Sequence, residues 1–211
     1  MMTKKGILVV VSGFSGAGKG TLMKRLLEKY DNYALSVSAT TRAPREGEEH
    51  GREYFFHTKQ EFEELILQDA LIEHAQYVDN YYGTPKAYVE KQLNAGKDVI
   101  LEIEIQGALK VKEKFPEALL LFVMPPDAAE LKRRLEGRGT ESPEVIRQRL
   151  TRASEEADGI EKYEYLIIND DLDECVREMN DIINAARKAP VRNRRMIADM
   201  RSQLNAVVKG E

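Results

Sequence analysis

The sequence predicts a single α/β domain built on a parallel sheet, and three observations support this. Short apolar runs lacking period-2 alternation, typical of strands buried on both faces, occupy residues 7–11, 99–101 extending through 105, 119–124 and 165–168. Amphipathic segments lie between or after these runs. The length of 211 residues suffices for one well-buried core and is too short for two ordinary domains.

Helix limits follow from capping residues. Helices are predicted at about 18–30, 85–95 and 106–115, with Thr84 capping the second before a proline and Gly96 ending it. Asp127 and Ser142 begin two further helices, separated by a flexible glycine joint at 137–139. Residues 36–82 differ from the rest of the chain in their sequence pattern, because they contain short Thr-, Tyr- and Phe-bearing strands and a helix near 59–67. This pattern predicts a lobe inserted into the core.

Charge and cysteine content narrow the function classes. Lys plus Arg (32) against Asp plus Glu (36) gives a net charge of -4, which disfavours broad binding to nucleic acid or acidic membranes. The single Cys175 permits no internal disulfide, and no zinc-type spacing occurs. The N-terminal apolar run is too short for a signal peptide, and nothing approaches the roughly 20 apolar residues of a membrane span. We therefore predict a cytoplasmic protein with no nucleic-acid or membrane partner.

The strongest motif is GFSGAGKGT at residues 13–21, which follows an apolar strand and opens an amphipathic helix. This context predicts a phosphate-binding P-loop rather than an ordinary glycine-rich turn. Backbone N–H groups and the helix N-terminus would surround an anion, and Lys19 would supply charge to the β- and γ-phosphates. Gly20 stands where most P-loops place a Ser or Thr that helps to hold magnesium, so Thr21 or water would complete the metal's shell.

Two further groups of residues suggest a second ligand. Arg42 and Arg45 flank a proline on a loop that continues to Tyr54, which favours a second phosphate site over a merely solvated arginine pair. Glu73 is a carboxylate among apolar residues and needs a partner rich in donors. Guanine offers N1–H and its exocyclic amine, whereas adenine presents an acceptor at N1. The alternative is an exposed glutamate on a strand edge.

Acidic and basic residues elsewhere fit phosphoryl transfer. Glu102 and Glu104, two apart on the strand predicted through residue 105, would share one face near its carboxyl end and hold magnesium or its waters, or orient basic groups. Arg134 and Arg138 share a helix face, and Arg149 could reach back from the next helix. With the glycine joint, these arginines suggest a closing lid. For the two glutamates, the alternative is that they pair with arginines and bind no ligand. For the arginines, the alternative is a solvated helix face.

The remaining candidates are interpreted as structural. The three histidines show no metal spacing, and Cys175 lies on an apolar helix stripe. The basic C-terminal segment carries apolar residues at helical spacing: Met196, Met200, Leu204 and Val208. We interpret it as a helix that docks on the core or forms a homodimer.

Taken together, SGFSGAGKGT, SVSATTRAPREGE, EYFF, IEHAQ, NYYGTP, IEIQGA, LEGRGTES and IINDD occur in the order and spacing of guanylate kinases. From about residue 7 to 187 the sequence closely resembles a bacterial member of that family. The resemblance implies a P-loop core (1–36, 93–127 and 157–211), a GMP-binding lobe (37–92) and a helical lid (128–156).

Site residues are implied by the same resemblance. Catalysis would depend on Lys19, Arg134, Arg138 and Arg149. ATP would contact Gly13, Ser15, Gly16, Ala17, Gly18, Lys19, Gly20, Thr21 and Asn169, the last near adenine. GMP would contact Ser38, Arg42, Arg45, Glu48, Tyr54, Glu73, Tyr82, Thr84 and Glu102. Thr21 and Glu104 would serve the metal, directly or through water. The sequence departs from the family pattern at two places: Gly20 replaces the usual small hydroxyl residue, and Glu102 and Glu104 stand where many relatives have aspartate. These departures leave the arrangement of ligands around magnesium open.

The implied reaction is ATP plus GMP to ADP plus GDP, dependent on Mg²⁺, by direct in-line transfer without a covalent enzyme intermediate; dGMP is a second candidate acceptor. Two alternatives remain. The GKGT segment matches adenylate kinases, but Glu73 and the Arg42/Arg45 pair argue against that class. A noncatalytic guanylate-kinase-like binding module would be expected to lose Lys19 and the lid arginines, which this chain retains.

Overall fold

The computed structural model describes residues 5–77, 79–137 and 142–209. Its strands are β1 (Leu8–Gly13), β2 (Tyr33–Leu35), β3 (Ser38–Thr40), β4 (Tyr54–Phe56), β5 (Leu71–Tyr77), β6 (Asn80–Pro85), β7 (Asp98–Glu102), β8 (Leu119–Met124) and β9 (Tyr165–Ile168). Its α-helices are α1 (Lys19–Lys29), α2 (Lys59–Leu67), α3 (Lys86–Asn94), α4 (Ile105–Lys114), α5 (Ala128–Glu136), α6 (Pro143–Ala157), α7 (Leu172–Ala186) and α8 (Arg194–Lys209).

A five-stranded parallel sheet in the order β2-β7-β1-β8-β9 forms the core and confirms the α/β prediction. Val9 and Val11 of β1 belong to a buried cluster with residues of α1 and α7, whereas Leu8 and Val10 belong to a second cluster with α3 and α4. Burial of both faces explains the continuous apolar runs of β1, β7 and β8. The prediction of two-sided burial is wrong for β9, an edge strand in which Tyr165, Leu166 and Ile168 are exposed. The central strand β1 therefore holds the loop that follows it at the middle of the sheet's carboxyl edge.

A second, four-stranded sheet in the order β4-β3-β6-β5 lies between β2 and α3 in the chain. Here β3 pairs parallel with β4 and antiparallel with β6. Helix α2 covers this sheet with Phe62, whose ring stacks on Tyr81 at a centroid distance of 5.4 Å. Thr58 and Glu61 form a capping box, so α2 begins at Lys59, as the predicted helix near 59–67 does.

Several sequence predictions are confirmed at the level of single residues. Asp127 accepts from the Glu130 N–H and Ser142 from the Val145 N–H, so the predicted caps of α5 and α6 are formed. Cys175 is a buried core residue of α7.

Two further local predictions are wrong. Strand β7 ends at Glu102, because the chain leaves the sheet at Ile103, whose carbonyl accepts from the Ser12 hydroxyl. Glu104 occupies the N-cap position of α4 without a side-chain hydrogen bond to the helix. Glu102 and Glu104 therefore do not share a strand face. Thr84 belongs to β6, and α3 has Pro85 at its cap position without a side-chain hydrogen bond. The Thr84 hydroxyl donates to the Glu73 carboxylate instead.

Helix α8 follows a short 3-10 segment, Pro190–Arg192, and presents its apolar side to solvent. Met196, Met200, Leu204 and Val208 are each more than half exposed. The helix is amphipathic as predicted, but its stripe is not docked on the core. No helix in the described ranges is long and apolar enough to cross a bilayer.

Candidate active site

The loop between β1 and α1 has the backbone of an anion-binding turn. Gly16 and Gly18 have φ values of 93° and 88°, in the left-handed region that side chains with a Cβ rarely adopt. Helix α1 begins directly after Gly18, with its first N–H groups at the loop. The glycine spacing therefore places a helix N-terminus where an anion would be favoured.

Lys19 lies across this loop. Its Nζ donates to the Gly13 carbonyl at 2.7 Å and to the Phe14 carbonyl at 3.2 Å. These contacts hold the ammonium group at the loop that the sequence predicts for phosphate.

A cleft of about 550 Å³ opens beside the loop, lined by Lys19, Glu102, Glu104, Gln148, Arg149 and Arg152, among others. Arg149 of α6 donates from Nη1 to the Ser15 hydroxyl at 2.6 Å. Helix α6 thus brings a guanidinium group directly to the P-loop. Of the predicted catalytic residues, the structure brings Lys19 and Arg149 together in this cleft.

Arg134 lies elsewhere along the loop. Its guanidinium is fixed by Glu130 at 2.6 Å, donates to the Asn169 carbonyl at 2.8 Å and approaches the Ala17 carbonyl at 3.4 Å. The Asn169 amide also donates to Ala17 O, at 2.7 Å. Arg134 and Asn169 therefore meet at the Ala17 carbonyl of the P-loop, and Arg134 is not among the cleft's lining residues. Arg138 lies outside the described residues.

The two acidic residues differ in their surroundings. Glu102 lines the cleft, where desolvation raises its pKa against the opposing charge of Lys19. Glu104 binds Arg152 at 2.7 Å, and Arg152 also contacts Glu156 at 3.0 Å. The one signal in the sequence that points to Arg152 is its place three residues after Arg149, which puts both on one side of α6.

A basic and aromatic group lies on the second sheet. Arg42 donates to both carboxylate oxygens of Glu48, at 3.0 and 2.9 Å, and its guanidinium lies 5.3 Å from the Tyr54 ring centre. Tyr54 contacts Tyr82 edge-on at 6.1 Å. The Arg45 N–H first, and then Arg42, hold the pKa of Glu48 below its usual range. Four of the predicted GMP-site residues are thus adjacent, and Arg45 lies at their exposed rim.

Glu73 and Thr84 form a buried pair at the other end of this sheet. Thr84 is fully buried and donates its hydroxyl to Glu73 Oε1 at 2.7 Å, and Glu73 is only 7% exposed. Burial raises the pKa of Glu73. The β3–β6 register, with Ala39 opposite Gly83, places Ser38 opposite Thr84. A buried carboxylate held by one oxygen is suited to a ligand that offers adjacent donors.

A P-loop at the centre of a parallel sheet, with a guanidinium group facing it from a neighbouring helix, defines the P-loop kinase class. Within this class, a family model described as Guanylate kinase matches residues 5–186. The chain belongs to the guanylate kinase family.

Individual relatives agree with this assignment. A guanylate kinase of Caldanaerobacter subterraneus subsp. tengcongensis is 50% identical over 200 residues, which cover 95% of this chain and 97% of the relative. One from Halalkalibacterium halodurans is 50% identical over 185 residues, with 88% and 91% covered. The crystal structure of guanylate kinase from Anaplasma phagocytophilum is similar with a TM-score of 0.72 at 33% identity, covering 90% of this chain and 91% of that one.

Proposed function

We propose that this protein transfers the γ-phosphoryl group of ATP to GMP, giving ADP and GDP, and that dGMP is a second acceptor. The observation that carries the choice of acceptor is the buried Glu73–Thr84 pair. Its carboxylate is an acceptor for guanine N1–H and the exocyclic amine, whereas adenine would present an acceptor to it. The Arg42, Tyr54 and Tyr82 group supplies charge and hydroxyls for the GMP phosphate.

The proposed mechanism is direct in-line transfer, in which residues position groups and neutralise charge. The P-loop amides and Lys19 bind the ATP phosphates, and Arg149 stabilises the charge that develops on the transferring group. Arg134 and Asn169 hold the P-loop at the Ala17 carbonyl, and Asn169 lies near the adenine of bound ATP. We assign residues 37–92 to the GMP-binding lobe and 128–156 to the lid, so that closure would bring both phosphate sites together.

The reaction is proposed to require Mg²⁺, and the chemistry of the available donors fits this ion. Mg²⁺ usually binds one or two carboxylates, substrate phosphates and several waters, so a dedicated protein cage is not required. Glu102 lines the cleft and interacts electrostatically with Lys19, whereas Glu104 is held by Arg152. Gly20 provides no hydroxyl, which leaves Thr21 or water to complete the shell. When bound, Mg²⁺ neutralises charge on the ATP phosphates.

Arg149→Ala is expected to lower kcat at saturating ATP and GMP by about 10²-fold or more, because it removes a charged donor that faces the transferring group. The measurement is steady-state ADP release. Arg147→Ala is the matched control, since Arg147 is exposed on the same helix outside the P-loop cleft. Equal effects of the two substitutions would contradict the assigned role.

We also propose that a second copy of the chain covers the apolar side of α8, giving a cytoplasmic homodimer. The exposed stripe is unfavourable in water, and burial in a pair of helices would remove it from solvent. Sedimentation should show a dimer for the intact chain and a monomer for a Met200→Glu, Leu204→Glu variant. A 24 kDa species for the intact chain would contradict the pairing.

The proposed reaction is tested by incubating the protein with Mg²⁺ and ATP labelled in its γ-phosphate, together with GMP. The label should appear in the β-phosphate of GDP. Binding of GMP without transfer of label would instead favour a noncatalytic binding module.

A further inference from the structure

Gly107 occupies the first turn of α4, at a position where the backbone does not demand glycine. It lies in regular α-helix and is not among the positive-φ glycines of the described chain. Glycine destabilises a helix interior relative to alanine, because it loses more conformational freedom on folding. The reason for glycine at this position must therefore be sought in the space beside it.

That space is taken by Glu73. A Cβ atom on Gly107 would lie 3.3 Å from Glu73 Oε2 and 3.8 Å from its Cδ, and 3.4 Å from Ile103 Cδ1. The other carboxylate oxygen, Oε1, accepts from Thr84 at 2.7 Å. The carboxylate thus lies between a hydroxyl that holds one oxygen and a helix surface that meets the other. Gly107 and Thr84 are both buried, so neither side is open to solvent.

We propose that Gly107 is a positioning residue for specificity: its missing side chain sets how deeply the Glu73 carboxylate is seated, and so how well that carboxylate matches guanine. This inference rests on the proposed contact between Glu73 and guanine. A methyl group at residue 107 forces the carboxylate or Ile103 to move by a few tenths of an ångström. A shifted carboxylate either lengthens its hydrogen bond to Thr84 or misaligns with the two guanine donors, and hydrogen bonds weaken steeply as geometry degrades.

The test is Gly107→Ala, assayed with GMP and with IMP, which lacks the exocyclic amine. We expect KM for GMP to rise on the order of tenfold, as for one weakened charge-assisted hydrogen bond. KM for ATP and kcat at saturating GMP should stay within about twofold, since Gly107 does not line the P-loop cleft. The preference for GMP over IMP should shrink, and the melting temperature should hold or rise because alanine favours the helix.

Two further variants separate the explanations. Ile103→Val removes the Cδ1 atom, so the double variant Gly107→Ala, Ile103→Val retains only the contact with Glu73. If the rise in KM for GMP persists in the double variant, the proposal is supported. If KM returns to normal, the contact with Ile103 is responsible and the proposal is overturned.

Glu73→Gln, assayed in parallel, distinguishes failure of this inference from failure of the proposed function. An unchanged preference for GMP over AMP in Glu73→Gln would show that Glu73 does not contact guanine, and the proposed function would then lose its guanine site. A strong effect of Glu73→Gln with wild-type behaviour of Gly107→Ala would overturn the positioning role alone. A Gly107→Ala variant with a lowered melting temperature and equal losses for ATP and GMP would indicate a structural role only, which also overturns the proposal.

Discussion

Glu73→Gln should lower kcat/KM for GMP by about 10²-fold or more while leaving KM for ATP near its original value. The amide oxygen of glutamine can still accept from Thr84, and its NH₂ group then faces the donors of guanine. Two hydrogen bonds to a charged acceptor are lost, each worth about 1.5–3 kcal/mol. Steady-state kinetics with GMP and with AMP measure both the loss and the change in base preference.

Glu63→Gln is the matched control, because Glu63 is an exposed residue of α2, the helix that covers the second sheet. The melting temperature of Glu73→Gln should not fall, since the substitution removes a carboxylate whose charged form is disfavoured by burial. Loss of GMP use together with retained stability separates recognition from folding. An unchanged preference for GMP over AMP would contradict the assignment of Glu73.

The pH profile gives a second readout for the same variant. The pKa of Glu73 is raised mainly by desolvation, and the groups acting on it are Thr84, Lys110 and Lys114, which lower it, and Glu104, which raises it. Because the deprotonated form is the one proposed to accept from guanine, kcat/KM for GMP should fall as pH drops through this raised pKa. The stability contribution has the opposite sign: it is present at low pH and is lost as pH rises through the folded-state pKa. Glu73→Gln should lack both dependences.

Lys19→Met should reduce kcat by about 10²- to 10³-fold with little change in GMP binding. Methionine retains much of the aliphatic length but removes the ammonium group that lies over the Gly13 and Phe14 carbonyls. Loss of a preorganised charge at the transferring phosphate is expected to cost about 2.7–4 kcal/mol of transition-state stabilisation. Steady-state turnover measures this loss, and calorimetric titration with GMP shows that the second site is intact.

Lys24→Met provides the control for Lys19→Met, because Lys24 is exposed on the same helix. Near-normal turnover of Lys19→Met would be incompatible with the proposed P-loop chemistry. Equal losses in both variants would indicate a general effect of charge.

Much of the core could be predicted because its signals are local. Buried parallel strands produce continuous apolar runs, and β8 has the predicted bounds. Strand β9 also has the predicted bounds, although only Ile167 of its four residues is buried. The glycines of the P-loop specify their own backbone, and the caps of α5 and α6 depend on residues only three apart. In these segments the sequence and the tertiary environment favour the same structure.

Other features depend on contacts that a linear pattern does not contain. Thr84 stands where the sequence pattern predicts a helix cap, but the pairing of β5 with β6 brings it to Glu73. Its hydroxyl stabilises the buried carboxylate more than it would stabilise the helix end, because a buried charged acceptor without a hydrogen bond is costly. The Arg152–Glu104 ion pair joins residues 48 apart in sequence, and Gly107 is meaningful only because Glu73 lies against α4.

The proposed reaction and the choice of acceptor are both tested by measuring ADP release from Mg²⁺-ATP with GMP, dGMP, AMP, CMP, UMP and dTMP in parallel. We predict strong turnover with GMP, alone or with dGMP, and little with the other acceptors. Turnover that favours AMP would contradict the reading of guanine by Glu73, and no turnover with any acceptor while GMP still binds would contradict the enzyme itself.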